Sequence, residues 1–154
     1  MRRKDREVTA EKRILEIMEK CDCCRLAFNT DDVPYVVPMN FGLAENGKVL
    51  YFHSAMAGRK YELAQKSQNV AFEMDCNHAL DKTEKAVDCG YFYSSVMGKG
   101  KISLVTDVTE KTTALNALMK HYYHEEKTWD YGNMIDHTAI IKVEIMEITC
   151  KERR

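Results

Sequence analysis

Long apolar runs are missing from this sequence. None approaches the ~20 residues that a membrane-spanning helix needs, which argues against a membrane protein. An excess of one charge is missing too. Lys and Arg total 23, Asp and Glu total 24, and the formal charge is −1. Non-specific nucleic-acid binding needs a concentrated basic surface instead. The basic residues of Met1-Arg2-Arg3-Lys4-Asp5-Arg6 are followed by no apolar stretch, which argues against a secretory signal. No internal repeat is visible. Nor is there the strand–helix–strand alternation that a doubly wound sheet requires.

What remains is one ordinary domain. The chain has 154 residues and a mass of 17.8 kDa, so a single domain over residues 1–154 is expected, with 1–8 as a loose arm. It is 45% hydrophobic and 31% charged, which is a globular balance. A chain of this length buries roughly two thirds of its unfolded surface and needs no metal or disulfide to fold. The six cysteines, Cys21, Cys23, Cys24, Cys76, Cys89 and Cys150, are irregularly spaced. They read as reduced thiols of a cytoplasmic protein.

The hydrophobic pattern predicts a mainly β chain. Ile14, Ile17, Met18 and Cys21 recur at helical spacing behind a Thr9 cap, giving a helix over 10–20. Strands are expected at 25–29, 35–41 and 49–53, and their short links suggest an antiparallel meander. Pro38 lacks an amide donor, which puts its strand at an edge or a bulge. A helix follows at 59–66, a strand at 70–75, and a polar irregular stretch at 77–89. A long strand at 91–105 carries Gly98 and Gly100, as at a barrel corner. A helix at 110–122 precedes the last strand, 138–150, whose alternation slips at Met146-Glu147-Ile148. About six mostly antiparallel strands and three short helices suit a small closed or split β-barrel with flanking helices.

Two motifs look chemical but lack their context. Gly42 to Val49 has the spacing of a phosphate loop, yet the Ser or Thr that reaches magnesium is replaced by Val49, and the segment opens a strand. A hairpin turn is the expected reading. Cys21-Asp22-Cys23-Cys24, with Cys76, His78, His121 and His124 as further donors, lacks the paired spacing of a zinc knuckle. Ordinary thiols and no metal are expected. His121 and His124 suit the negative end of a helix.

A third constellation is more informative. His53-Ser54-Ala55 ends a strand, and Gly58-Arg59-Lys60 starts a helix just after it. A hydroxyl, two cations and a helix N-terminus are what a phosphomonoester needs, although a solvated helix start has the same composition. Ser94 and Ser95 point to opposite faces of their strand, and Lys99 and Lys101 share the parity of Ser95. The proline in Val37-Pro38-Met39-Asn40-Phe41 leaves backbone groups free for a planar heterocycle.

Taken in order, Val37-Pro38-Met39-Asn40-Phe41, the run from Tyr51 to Lys60, and Ser95-Val96-Met97-Gly98-Lys99-Gly100 resemble the flavin-binding split-barrel family of pyridoxamine 5′-phosphate oxidase. Within it they are similar to the branch of 5-nitroimidazole resistance (Nim-type) proteins. The opening residues and Leu118-Met119-Lys120-His121-Tyr122 resemble that branch as well. The resemblance implies an FMN-binding split β-barrel and a homodimer with FMN at the subunit interface. It implies that Arg59 and Lys60, with Ser95, meet the FMN phosphate. Val37, Pro38, Met39 and Asn40 line the isoalloxazine edge, backed by Phe41, and His53, Ser54 and Ala55 lie by the ribityl chain and ring. Val96 accompanies Ser95 in the set. His53 resembles the branch's active-site histidine and is the catalytic candidate. Phe92 and Ser94 stand where relatives often carry Trp and Arg. The implied activity is flavin-dependent reduction of nitroaromatic compounds, with NADH or NADPH as donor. A non-catalytic or flavin-sensing protein, a pyridoxamine 5′-phosphate oxidase-like enzyme and a haem-binding split barrel are the alternatives.

Overall fold

The computed structural model describes residues 3–125 and 127–154. One eight-stranded antiparallel sheet curls into an open barrel. Its strands are β1 (Glu7–Val8), β2 (Cys24–Phe28), β3 (Tyr35–Met39), β4 (Gly42–Ala44), β5 (Val49–Ala55), β6 (Asn69–Asp81), β7 (Gly90–Val105) and β8 (Thr138–Arg153). They run in the order β3-β2-β6-β7-β8-β5-β4, with β1 on β8. Among the described residues four α-helices flank them: α1 (Glu11–Met18), α2 (Arg59–Lys66), α3 (Val108–Tyr123) and α4 (Met134–His137). The expected split barrel with flanking helices is the observed fold.

Several local expectations change. The meander does not form: β3 pairs only with β2, while β5 pairs with β4 and β8. Short links bring neighbours close, but β8 offers β5 a seven-residue ladder from Val49↔Glu144 to Ala55↔Thr138 that a local hairpin cannot match. The strand expected to reach Phe41 stops at Met39, and Gly42–Ala44 is a separate strand. Residues Glu7 and Val8 are not loose, because they pair with Lys151 and Cys150; Met1 and Arg2 lie outside the described residues. Strand β6 continues to Asp81, past the expected end, through an irregularity between Cys76 and Ala79. Thr9 is not the cap of α1; Ala10 stands there without a side-chain cap bond.

Other features fall where the pattern placed them. Helix α2 has the expected bounds, and β3 with its proline is an end strand of the sheet. The slip near Met146 is a bulge: Lys99 faces Glu147 and Gly100 faces Ile145, which leaves Met146 unpaired and exposed. A Cβ on Gly98 would collide with the Phe72 ring and the Glu147 carbonyl, so a side chain there would force the barrel apart.

The core lies inside the curled sheet and is closed by α1 and α2. Phe28, Phe41, Phe52, Leu50, Met74 and Val143 are fully buried there with Ile17 and Met18 of α1. A second, smaller core lies between α3 and the outer face of β5 and β8, with Tyr51, Ile140, Ala114 and Leu118. Gly42 lets the α3 backbone at Ala117 and Leu118 come into direct contact with β4. Arg13 of α1 pairs with the Glu152 carboxylate of β8, which also accepts from Ser94 at 3.0 Å and from Arg154 at 2.7 Å. This ion-paired cluster fastens α1 to the strand that carries Ser95.

Candidate functional site

Strand β5 ends at Ala55, and Gly58 turns the chain into α2 with φ of +96°, a conformation that suits glycine. No side chain caps α2. Its first amides therefore lack the partner that a capping residue supplies. Arg59 and Lys60 are the first two residues of this helix. Arg59 is exposed and its guanidinium lies over the Tyr35 ring at 4.7 Å from the centroid. Among the described arginines it alone has no ion-pair partner: Arg3, Arg6, Arg13, Arg25, Arg153 and Arg154 are all matched with carboxylates. An unmatched guanidinium beside uncapped helix amides is the combination from which anion sites are built.

His53 sits opposite Ile140 on β8 and is accessible. Its pKa is lowered, first by partial burial and then by the Lys60 cation, so the imidazole is neutral at neutral pH. Ser54 points the other way. It is buried, and its hydroxyl donates to the Ala55 carbonyl at 2.9 Å, so it does not face the cationic turn.

The Val37–Phe41 segment splits by parity. Val37 and Met39 face the core, Pro38 faces out opposite Arg25, and Phe41 is fully buried. Asn40, exposed between β3 and β4, is free of the ladder. Tyr122 holds this break: its hydroxyl donates to the Asp22 carbonyl at 2.8 Å and accepts from the Phe41 amide at 3.2 Å. His121 packs on Phe41, 4.3 Å between centroids, and its Nε2 lies 2.8 Å from the Cys21 carbonyl. The helix-end reading of these two residues missed both contacts. Only the break itself, visible as Pro38, hinted that something must support it.

Ser95 is half-buried on the outer face of β7, between Asp75 of β6 and Lys151 of β8. Ser94, its inward neighbour, is buried and spends its hydroxyl on Glu152 and Asn77. Val96 also faces the core, fully buried, so its side chain cannot line a cofactor. Lys99 and Lys101 keep the parity of Ser95, because the extra residue of the bulge is on β8. Phe92 packs beneath Arg153, 5.7 Å from the ring centroid. Arg59 rests on Tyr35, which faces inward opposite Phe28 on the end strand, whereas Ser95 points to the outer face of the sheet.

All six cysteines are free, and Cys21, Cys24 and Cys150 are buried. Burial raises their pKa values, to about 11 for Cys150, which makes them poor nucleophiles. Among the described residues no cluster of three or more His, Cys, Asp and Glu could hold a metal ion. His78 is engaged with Asp75 at 2.7 Å. Among the same residues no helix is long and apolar enough to cross a membrane.

An open β-barrel whose end carries an unmatched cationic helix start matches a known class, the flavin-binding split barrels. The family profile described as pyridoxamine 5′-phosphate oxidase matches residues 10–152, and the chain belongs to that family. It is a flavin-binding, oxidoreductase-like protein. Among solved structures it is similar to a proposed 5-nitroimidazole antibiotic resistance protein from Bacteroides thetaiotaomicron. The two are 29% identical with a TM-score of 0.81, covering 95% of this chain and 86% of that one. A flavocytochrome from Azotobacter vinelandii is 20% identical with a TM-score of 0.81, covering 100% of this chain and 72% of that one. A proposed pyridoxamine 5′-phosphate oxidase from Listeria innocua is 20% identical with a TM-score of 0.60, covering 91% and 96%. These last two share the fold. No curated protein matches the chain.

Proposed function

We propose that this protein binds FMN and uses it to reduce nitroaromatic compounds of the 5-nitroimidazole kind. The observation that carries the reading is the unmatched Arg59 at the uncapped start of α2. An exposed cation–π contact is worth about 0.5–1 kcal/mol, and a charge-assisted hydrogen bond to phosphate about 1.5–3 kcal/mol. Arg59 therefore gains by leaving Tyr35 for a phosphate. The residues present fit the cofactor: Arg59, Lys60 and the α2 amides would hold its phosphate, while the backbone of Pro38–Asn40 would meet the ring edge. When bound, FMN supplies hydride transfer between a nicotinamide donor and an organic acceptor.

The chain's own residues orient and protonate. Arg59 would fix the phosphate end, and His53, on the strand just before it, would reach the cleft, where its imidazole can take up a proton and pass it on at Nε2 or Nδ1. The inward face of Tyr35 under Arg59 and the outward face of Ser95 support a homodimer in which Ser95 of one protomer completes the site of the other. NADH or NADPH is the proposed donor. The six free cysteines support a cytoplasmic location.

The test is an absorbance scan of the gently purified protein, followed by release and identification of the chromophore. A yellow protein with one FMN per subunit is expected. A colourless protein that takes up no added FMN overturns the proposal, and bound iron with a haem spectrum replaces it with the haem reading.

A further inference from the structure

We infer that Tyr122 is a positioning residue for the flavin ring, acting through the Asn40–Phe41 peptide that its hydroxyl holds. The inference rests on the functional reading above.

A hydroxyl has one proton and two lone pairs. The Tyr122 proton goes to the Asp22 carbonyl at 2.8 Å, and one lone pair takes the Phe41 amide at 3.2 Å. These two bonds join the corner after α1, the end of α3 and the gap between β3 and β4. That gap needs such a node. Pro38 cannot donate to a ladder, the strand stops at Met39, and the Phe41 amide belongs to a residue with no exposed surface. Without Tyr122 a buried N–H loses its partner, and unsatisfied buried amides are strongly disfavoured. His121 adds the lateral support, packed on Phe41 and held at the Cys21 carbonyl.

The consequence reaches the site because the amide that Tyr122 holds belongs to the peptide that begins at Asn40, the exposed end of the ring-edge segment. Fixing this peptide fixes the direction of the Met39 and Asn40 backbone groups, and hydrogen bonds weaken steeply once misaligned. The set is spread from Asp22 to Tyr122 along the sequence, so no local pattern shows it.

The test is Tyr122→Phe, which keeps the ring and removes the hydroxyl. Binding of FMN and of riboflavin is measured by titration, along with the visible spectrum of the bound flavin and thermal unfolding. Both flavins should weaken by the same factor, about 2- to 13-fold for one neutral hydrogen bond, with an altered visible band. A purely structural role would lower the melting temperature and leave affinity and spectrum of the folded protein unchanged, which overturns the inference. Should Y122F fail to fold, His121→Gln decides, since it removes the ring packed on Phe41 beside the same peptide: equal loss of both flavins supports the inference and unchanged binding refutes it. A wild-type protein that takes up neither flavin overturns the functional reading and this inference together, and is recognised because the parent fails as well as the variant.

Discussion

The Arg59 guanidinium lies 4.7 Å from the centroid of the Tyr35 ring, and no carboxylate among the described residues answers it. The contact keeps a cation parked at the mouth of the barrel without neutralising it. Arg59→Ala should therefore weaken FMN far more than it weakens the fold. Loss of a charge-assisted phosphate contact costs about 1.5–3 kcal/mol, or about 10- to 150-fold in affinity. Riboflavin lacks the phosphate and should bind parent and variant equally. Equal losses for both flavins would remove Arg59 from the phosphate site.

Tyr35 under Arg59 faces inward and Ser95 faces outward, which allows a sharper test of a shared site. Arg59→Ala and Ser95→Ala should each weaken FMN as a pure protein. Mixed and allowed to exchange subunits, they form heterodimers in which one site has lost both residues and the other has kept both. A random mixture then regains about a quarter of the tight sites. Titration of the mixture at a concentration that fills only parent-like sites reads this directly. No recovery in a mixture shown to exchange would mean that the two residues do not meet across an interface. Sedimentation should return about twice the 17.8 kDa chain mass.

How far the sequence carried this picture follows from the range of the forces involved. Helix α2, the strand at Pro38 and the slip at Met146 were legible because each depends on its own neighbours: a glycine turn, a missing amide, a broken alternation. The pairing of β5 with β8 was not, since it joins residues about ninety positions apart that no local pattern links. The same holds at the site. Arg59 stood out as a residue type at a helix start. The inward turn of Ser54 was missed because it is decided by the β5 ladder. Parity itself was readable, but which face of β7 looks inward depends on where α1 packs. Ser94 takes the inner side because Glu152 is there to accept from it.

The Glu152 carboxyl gives the fold an acid-sensitive element. Burial pushes its pKa up, but hydrogen bonds from Arg13, Arg154 and Ser94 outweigh that and bring it down to about 2. A carboxylate whose folded pKa is depressed stabilises the native state above its unfolded pKa, near 4.3. That contribution is lost as the pH falls from there through about 2. Melting temperatures measured across that window should fall with acid in the parent. Glu152→Gln cannot titrate there, so its acid limb should be shallower and its stability at neutral pH lower. Parallel curves would place the acid sensitivity elsewhere.

His53 carries the least direct of these predictions, and its sign is fixed by its neighbours. Two effects lower its pKa: burial first, then the positive charge of Lys60. Both disfavour the imidazolium. In flavin-free protein the His53 ring protons, followed by NMR, should titrate below the ordinary value near 6.5. Lys60→Ala removes the like charge and should raise the midpoint. Riboflavin buries the ring without adding a charge and should keep it low. FMN brings a phosphate that offsets Lys60, so the midpoint should be higher with FMN than with riboflavin. A proton donor readied only when the phosphate site is filled would then show in rates. His53→Ala should keep FMN and slow the oxidation of reduced flavin by a nitroaromatic, while reduction by the nicotinamide is unchanged. Stopped-flow spectra separate the two half-reactions. If Lys60→Ala leaves the midpoint where it was, the charge coupling is absent. If neither half-reaction slows in His53→Ala, the histidine is a packing residue and the proton comes from water.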